Sequence, residues 1–255
     1  MVALLILGMV VGFRSGYTGR TVDNALFTEL LKVYVNSGVV NYGKMKDDPR
    51  LGAYLAELAT VDPDSIQDTR ERLAFWINMY NATTLKLICD HYPVKSISEL
   101  HTGGLIIGTV IKATAWDKRI VKIKGKELTL NDVEHKIIRP QFEDPRTHFA
   151  LVCASKSCPQ LRGEAFEATR LEEQLDDQAR KFLSDPFRNE FEAGSRTARL
   201  SKIFSWYGSD FAGSEKEILM QLASYITGPA RESILGDPSA WTIEYKDYDW
   251  SLNGN

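Results

Sequence analysis

The residues of this chain best able to supply a nucleophile and a base near neutral pH are three cysteines and four histidines. Two of the cysteines fall in one segment, Thr147-His148-Phe149-Ala150-Leu151-Val152-Cys153-Ala154-Ser155-Lys156-Ser157-Cys158-Pro159. Its apolar run reads as a buried strand over residues 147–153, followed by a short polar loop and a helix that begins near residue 159. Proline suits the first position of a helix, which places Cys158 at the helix start. Unpaired backbone N–H groups there favour an anion and lower a thiol toward the reactive thiolate. Cys158 is therefore the candidate nucleophile, and the implied chemistry is attack on an amide or ester carbonyl.

A thiolate of this kind needs a base. His148 opens the same segment, and His135 lies on a helix where it shares a face with Ile138 and Arg139. In a regular strand His148 and Cys153 point to opposite faces, with Cα atoms roughly 16–17 Å apart. Cys153 then reads as a small buried residue. His91, at a helix end, reads as a cap, and His101 lies in a glycine-bearing loop. Asn78 and Asn81, embedded in Phe75-Trp76-Ile77-Asn78-Met79-Tyr80-Asn81-Ala82, cost a helix stability unless their amides find partners. They are candidates for an oxyanion donor or a histidine-orienting group, or for ties between that helix and nearby carbonyls. Glu134, Trp76, Tyr80 and Ser155 complete the set as candidate substrate-binding residues.

These groups must be held by elements that the periodicity delimits. Helices are expected at about 23–36, 50–60, 66–90, 130–139, 169–184, 202–212, 214–227 and 229–235, with a short one near 96–100 and another at 159–164. The 66–90 helix is apolar over more than half its circumference and belongs in the centre of the fold. Strands are expected at 119–124 and 126–128 around Gly125, on both sides of Gly194-Ser195, and from Trp241 to Tyr245. Thr129 and Asp132 have the spacing of a capping box. The aromatic tail after Tyr245 is expected to fold back on the core. The sum is a helix-rich α+β domain over residues 21–255, around a small, largely antiparallel sheet.

Composition excludes several function classes. A net charge of −3 supplies no broad basic surface for nucleic acid. The alternating Lys118, Arg119, Lys122, Lys124 and Lys126 read as a solvated hairpin face. Cys153 and Cys158 lack the spacing of a zinc site, so neither a metal nor another cofactor is expected. Residues 2–13 are apolar enough for a signal-peptide core but too few for a membrane span. Residues 1–20 thus read as an atypical export signal, which places the mature protein in the periplasm or outside the cell; a plain N-terminal helix would leave it cytoplasmic.

Taken together, the asparagine-bearing helix, Val133-Glu134-His135 with Arg139, the cysteine segment through Leu161, Ser201-Lys202-Ile203-Phe204 with Trp206 and Asp210-Phe211, and Tyr248-Asp249-Trp250-Ser251-Leu252-Asn253 resemble the domain-of-unknown-function family 547. That resemblance implies a bacterial protein, often exported, and no settled activity. Val152 departs from it, standing where the family often has asparagine. The Cys/His/Asn inventory also invites comparison with papain-like and transglutaminase-like thiol enzymes, although there the cysteine opens the central helix and the histidine follows it.

Two functions fit these residues. One is a cysteine-dependent hydrolase or acyl transferase with Cys158 as nucleophile, His148 or His135 as base, and Asn78 or Asn81 as the orienting group. The other is a non-catalytic module in which the same polar groove binds a small molecule, peptide or protein. A redox role for the Cys153/Cys158 pair ranks third, because a regular strand would turn the two thiols apart.

Overall fold

The computed structural model describes residues 22–101 and 114–255. The export-signal expectation for residues 1–20 and the glycine-rich stretch at 103–108 lie outside the described residues. The chain order is α1 (Ala25–Tyr34), β1 (Val35–Asn36), β2 (Val39–Val40), α2 (Tyr42–Met45), α3 (Pro49–Leu58) and the long α4 (Thr69–His91). The hairpin β3 (Arg119–Ile123) and β4 (Lys126–Thr129) leads into α5 (Leu130–Asp132), which continues through a π-helix, Val133–Ile138, into α6 (Arg139–Phe142). Then come α7 (Thr147–Ala150), α8 (Leu171–Ser184), β5 (Glu190–Glu192), β6 (Thr197–Leu200), α9 (Lys202–Trp206), α10 (Gly208–Phe211), α11 (Glu215–Leu222), α12 (Pro229–Gly236) and β7 (Thr242–Tyr245).

The fold is α+β, as the patterning indicates, but its strands form three separate small sheets. Two are antiparallel hairpins. The third orders β5-β6-β7 and pairs β6 with β7 in parallel, with Ala198 opposite Ile243. Parallel pairing needs a crossover, and α9 to α12 supply it.

Helix α4 explains its own position. The Asp68 side chain accepts from Arg70 N and caps the first turn, and Tyr92 ends the helix in extended backbone. Between them, Ala74 to Leu85 are buried without interruption, so packed neighbours surround the helix on every side. Burying each of its larger apolar side chains contributes about 1.5–3 kcal/mol.

The interior divides in two. One core is built on α4 with α1, α3 and the β3–β4 hairpin, and includes Phe27, Tyr54, Ile77 and Val121. The second gathers Phe149, Phe182, Phe204 and Phe211 between α7, α8 and the later helices. The cysteine segment runs along the seam between them, with Phe149 in the second core and Leu151, Val152 and Cys158 in the first.

Candidate functional site

Residues 147–150 form a single helical turn, α7, in place of the expected strand. Asp144 starts it: its carboxylate accepts from Arg146 N at 2.9 Å and its carbonyl from Thr147 N at 3.1 Å. The backbone becomes extended only at Leu151. The alternation argument that set His148 against Cys153 therefore fails, because side chains in a helical turn do not alternate between two faces. No helix begins at Pro159 either, and residues 151–167 are irregular. Cys158 N–H closes a turn onto Ser155 O at 3.2 Å, so no row of free N–H groups faces its sulfur.

An irregular buried loop must have its backbone groups satisfied from elsewhere, and three distant groups do so here. Asn81 of α4 donates from Nδ2 to Ala150 O and accepts from Val152 N, both at 2.9 Å. The C-terminal tail pairs along the loop: Lys156 N donates to Ser251 O at 2.8 Å, Ser157 N to Asp249 O at 3.2 Å, and Asn253 N to Ala154 O at 3.0 Å. Arg188 donates to Cys158 O at 2.7 Å and to Lys156 O at 2.6 Å. The tail can lie this close because Gly254 has no side chain; a Cβ there would meet Val40 O at 2.0 Å. Within the loop Ala154 takes φ of 63°, a left-handed conformation that costs a non-glycine residue about 1–2 kcal/mol. That strain sits between Cys153 and Ser155, directly beside the thiol.

The loop opens on a cavity of about 460 Å³ at the seam of the two cores, within the size range of small-molecule sites. Cys153, Cys158, His148, Glu134 and Tyr80 line it, with an aromatic wall from Trp116, Trp206, Tyr207, Tyr248 and Trp250. The wall rings touch: Tyr248 and Trp250 have centroids 4.5 Å apart, and Trp206 and Tyr248 4.8 Å apart. Trp206 stands 47% exposed at the rim.

The two thiols differ. Cys158 is 3% exposed, and its Sγ accepts from Cys153 N at 2.9 Å. Burial pushes its thiol well above the usual range, and the neighbouring Cys153 sulfur pushes it further. Cys153 is half-buried. Its Sγ lies 3.3 Å from Tyr248 Oη and 3.2 Å from Ser155 Oγ, and Ser155 donates to Tyr248 at 3.1 Å. Hydrogen bonds from Cys158, Ser155 and Tyr248 lower its thiol to about 7, against the opposing effect of burial.

His148 Nε2 lies 2.8 Å from Asp210 Oδ2, and Asp210 is gripped by Arg139, whose Nη2 donates to Oδ1 at 2.7 Å and whose Nε donates to Oδ2 at 2.5 Å. The Arg139 guanidinium, helped by His148, lowers the Asp210 carboxyl to about 2. Burial lowers His148 below its ordinary value, so the resting ring is neutral. With Nε2–H donating to Asp210, the lone pair is on Nδ1, which has no other hydrogen bond among the described residues. The His148 ring stacks on Tyr207 at 4.3 Å. Glu134 comes off the π-helix, a rare form that re-aims side chains and recurs at functional sites. It is 9% exposed and accepts from Tyr80 Oη at 3.1 Å.

The structure thus gathers Cys158, His148, Glu134 and Tyr80 at one cavity, with Ser155 fully buried behind Cys153. It sets the other expected residues elsewhere. His135 is exposed outside the cavity and reaches the site through Arg139 Nη1, 2.9 Å from its Nδ1, and through the Tyr207 ring, stacked with its own at 6.2 Å. Asn78 and Asn81 both serve as backbone ties, Asn78 exchanging two 2.9 Å hydrogen bonds with Phe166. Trp76 packs edge-on to Phe75 in the first core and does not line the cavity, so a role in substrate contact is corrected. Sequence reasoning passed over Cys153, Tyr207, Asp210 and Tyr248. Cys153, Asp210 and Tyr248 carried a signal through the family resemblance, and Tyr207 carried none.

Among the described residues, no group of three or more His, Cys, Asp or Glu side chains could hold a metal ion, and no helix is long and apolar enough to cross a membrane. No curated protein and no solved structure matches the chain, so the comparison with papain-like and transglutaminase-like enzymes rests on residue types alone. Tyr207, Asp210, Tyr248 and Trp250 lie beyond the one segment that a family model matches. That segment, residues 63–183, holds the asparagine-bearing helix, the π-helix and the cysteine loop; it belongs to the family described as "Protein of unknown function, DUF547".

Proposed function

We propose that the protein is a cysteine-dependent hydrolase or acyl transferase acting on an amide or ester bond, with Cys153 in place of Cys158 as the nucleophile. The observation that carries this reading is that a half-buried thiol with hydroxyl donors shares one cavity with a histidine held by a carboxylate. In the reaction, His148 Nδ1 takes the Cys153 proton and the sulfur attacks the carbonyl carbon. The tetrahedral intermediate collapses to a thioester, and the leaving amine or alcohol departs with the proton held on His148. Water, or a second nucleophile in the transferase mode, then attacks the thioester and frees Cys153. Asp210 fixes the ring tautomer and stabilises the imidazolium, and Arg139 keeps Asp210 ionised. Cys158, its sulfur bonded to the Cys153 backbone, shapes the loop.

The test is intact-mass spectrometry after incubation with a panel of activated acyl esters and aryl amides. An acyl adduct on Cys153 that disappears in Cys153→Ala is expected. An adduct on Cys158, or no adduct with any member, contradicts the reading.

The exposed Trp206 beside Trp250 and Tyr248 favours a second reading, a binding module whose aromatic rim takes a ligand without reaction. It requires Cys153→Ser to bind the ligand as well as the parent does, with no adduct formed on the parent.

A further inference from the structure

The charge distribution in the cavity names a ligand class. Glu134 is 91% removed from solvent by the exposure given above, yet no lysine, arginine or histidine forms a salt bridge with it among the described residues. Arg139 is engaged elsewhere: its Nε and Nη2 donate to Asp210 and its Nη1 lies 2.9 Å from His135 Nδ1. His148 is also turned to Asp210. The hydrogen bond that reaches Glu134 among the described residues comes from a phenol, Tyr80, while Arg139 and His148 act on its charge through space without touching it. Phenol donors steady a carboxylate but do not neutralise it. A carboxylate buried without a cation is costly, and native structures retain one where a ligand or metal completes it.

The rest of the lining agrees in sign. Of the fourteen other lining residues none is a lysine or arginine, and six are tyrosine or tryptophan. Ring faces present negative quadrupole to a cation and attract it. Trp116 and Trp250, with centroids 5.9 Å apart, stand on the wall of the same cavity that Glu134 enters. Neither feature suits an anion: a carboxylate or phosphate would meet Glu134 without a facing lysine or arginine. A wholly apolar ligand would leave Glu134 buried and unpaired.

We infer that the cavity takes a substrate bearing an alkylammonium group, which seats on Glu134 while its alkyl chain lies along the aromatic wall. This deepens the proposed thiol chemistry by naming its substrate class and rests on that reading for what happens next. Glu134 and Cys153 line the same cavity, so a group anchored on Glu134 shares that cavity with the sulfur. Either the acyl donor carries the ammonium at a distance from its carbonyl, or an amine acceptor enters by this route.

Binding tests the inference without turnover. The full chain carrying Cys153→Ala is titrated with n-butylammonium, n-butanol and butyrate at equal ionic strength, read by intrinsic tryptophan fluorescence and calorimetry. The ammonium should bind about tenfold more tightly than the isosteric alcohol, and butyrate should be weakest. Glu134→Gln should reduce the ammonium preference to about twofold or less. Because Glu134→Gln could disturb the π-helix, the ranking on the unmodified Glu134 background stands as an independent arm. Equal binding of ammonium and alcohol, tighter binding of butyrate, or no binding of any probe overturns the inference. A loss of acyl adducts with the ammonium preference intact would instead sink the thiol reading alone.

Discussion

Cys153 and Cys158 stand at the two ends of one loop and meet sulfur to backbone, yet their surroundings drive them in opposite directions. Cys158, only 3% exposed, has its sulfur against Leu151 O and the Cys153 N–H. Cys153 faces two hydroxyls and an open cavity. The difference teaches that thiol reactivity is set here by donors and access, and that a proline placed after a cysteine does not make a helix start. A further contrast is Cys89 in α4, where burial, helped by the charges of Asp90 and Asp47, pushes the thiol up to about 12.

Six substitutions break or sharpen that contrast. The largest effect is expected from Cys153→Ala, which should abolish acyl-adduct formation, whereas Cys158→Ala should leave the adduct in place but slow its formation, because it removes a hydrogen bond that lowers the Cys153 thiol. Next is Asp210→Asn. It leaves the ring of His148 without its carboxylate and favours the wrong tautomer, so adduct formation should slow on the order of 10²–10⁴-fold, followed by time-resolved intact mass.

The two asparagines provide a matched pair. Each makes two 2.9 Å hydrogen bonds to backbone, Asn81 to the cysteine loop and Asn78 to Phe166. Either alanine variant should lose about 2–4 kcal/mol in urea unfolding, since two buried backbone groups lose their partners. Only Asn81→Ala should change the rate at which Cys153 is alkylated under native conditions. Equal alkylation in both variants would mean that the loop keeps its form without Asn81.

The smallest effect is expected from Tyr248→Phe. Removing one hydroxyl donor to the Cys153 sulfur raises the pH at which its thiolate forms. Alkylation at pH 7 should fall roughly two- to fivefold and recover as the pH is raised. A fall that persists at pH 9 would point to a packing defect instead.

Where the sequence carried local information, its reading holds. The α4 boundaries, the β3–β4 hairpin around Gly125 and the Thr129–Asp132 capping box follow from neighbours in the chain. The cysteine segment misled because a short apolar run suits a buried strand and a buried helical turn equally well. Its form is fixed by Asn81, the Ser251 region and Arg188, which are far away in sequence. The same holds for the histidine. His148 was legible as a residue able to act as a base, but its partner Asp210 lies 62 positions on. Glu134 was legible as a residue, while its direction depends on a π-turn that no periodicity announces.

The central claim, that Cys153 is the activated thiol, is tested most directly by the alkylation rate of each cysteine against pH, with iodoacetamide and peptide-level mass spectrometry on the native chain. The account predicts that Cys153 reacts fastest with a midpoint near 7, and that Cys158 and Cys89 react only on unfolding. Fastest reaction at Cys158, or a Cys153 midpoint at or above the free-thiol value of about 8.5, would contradict it.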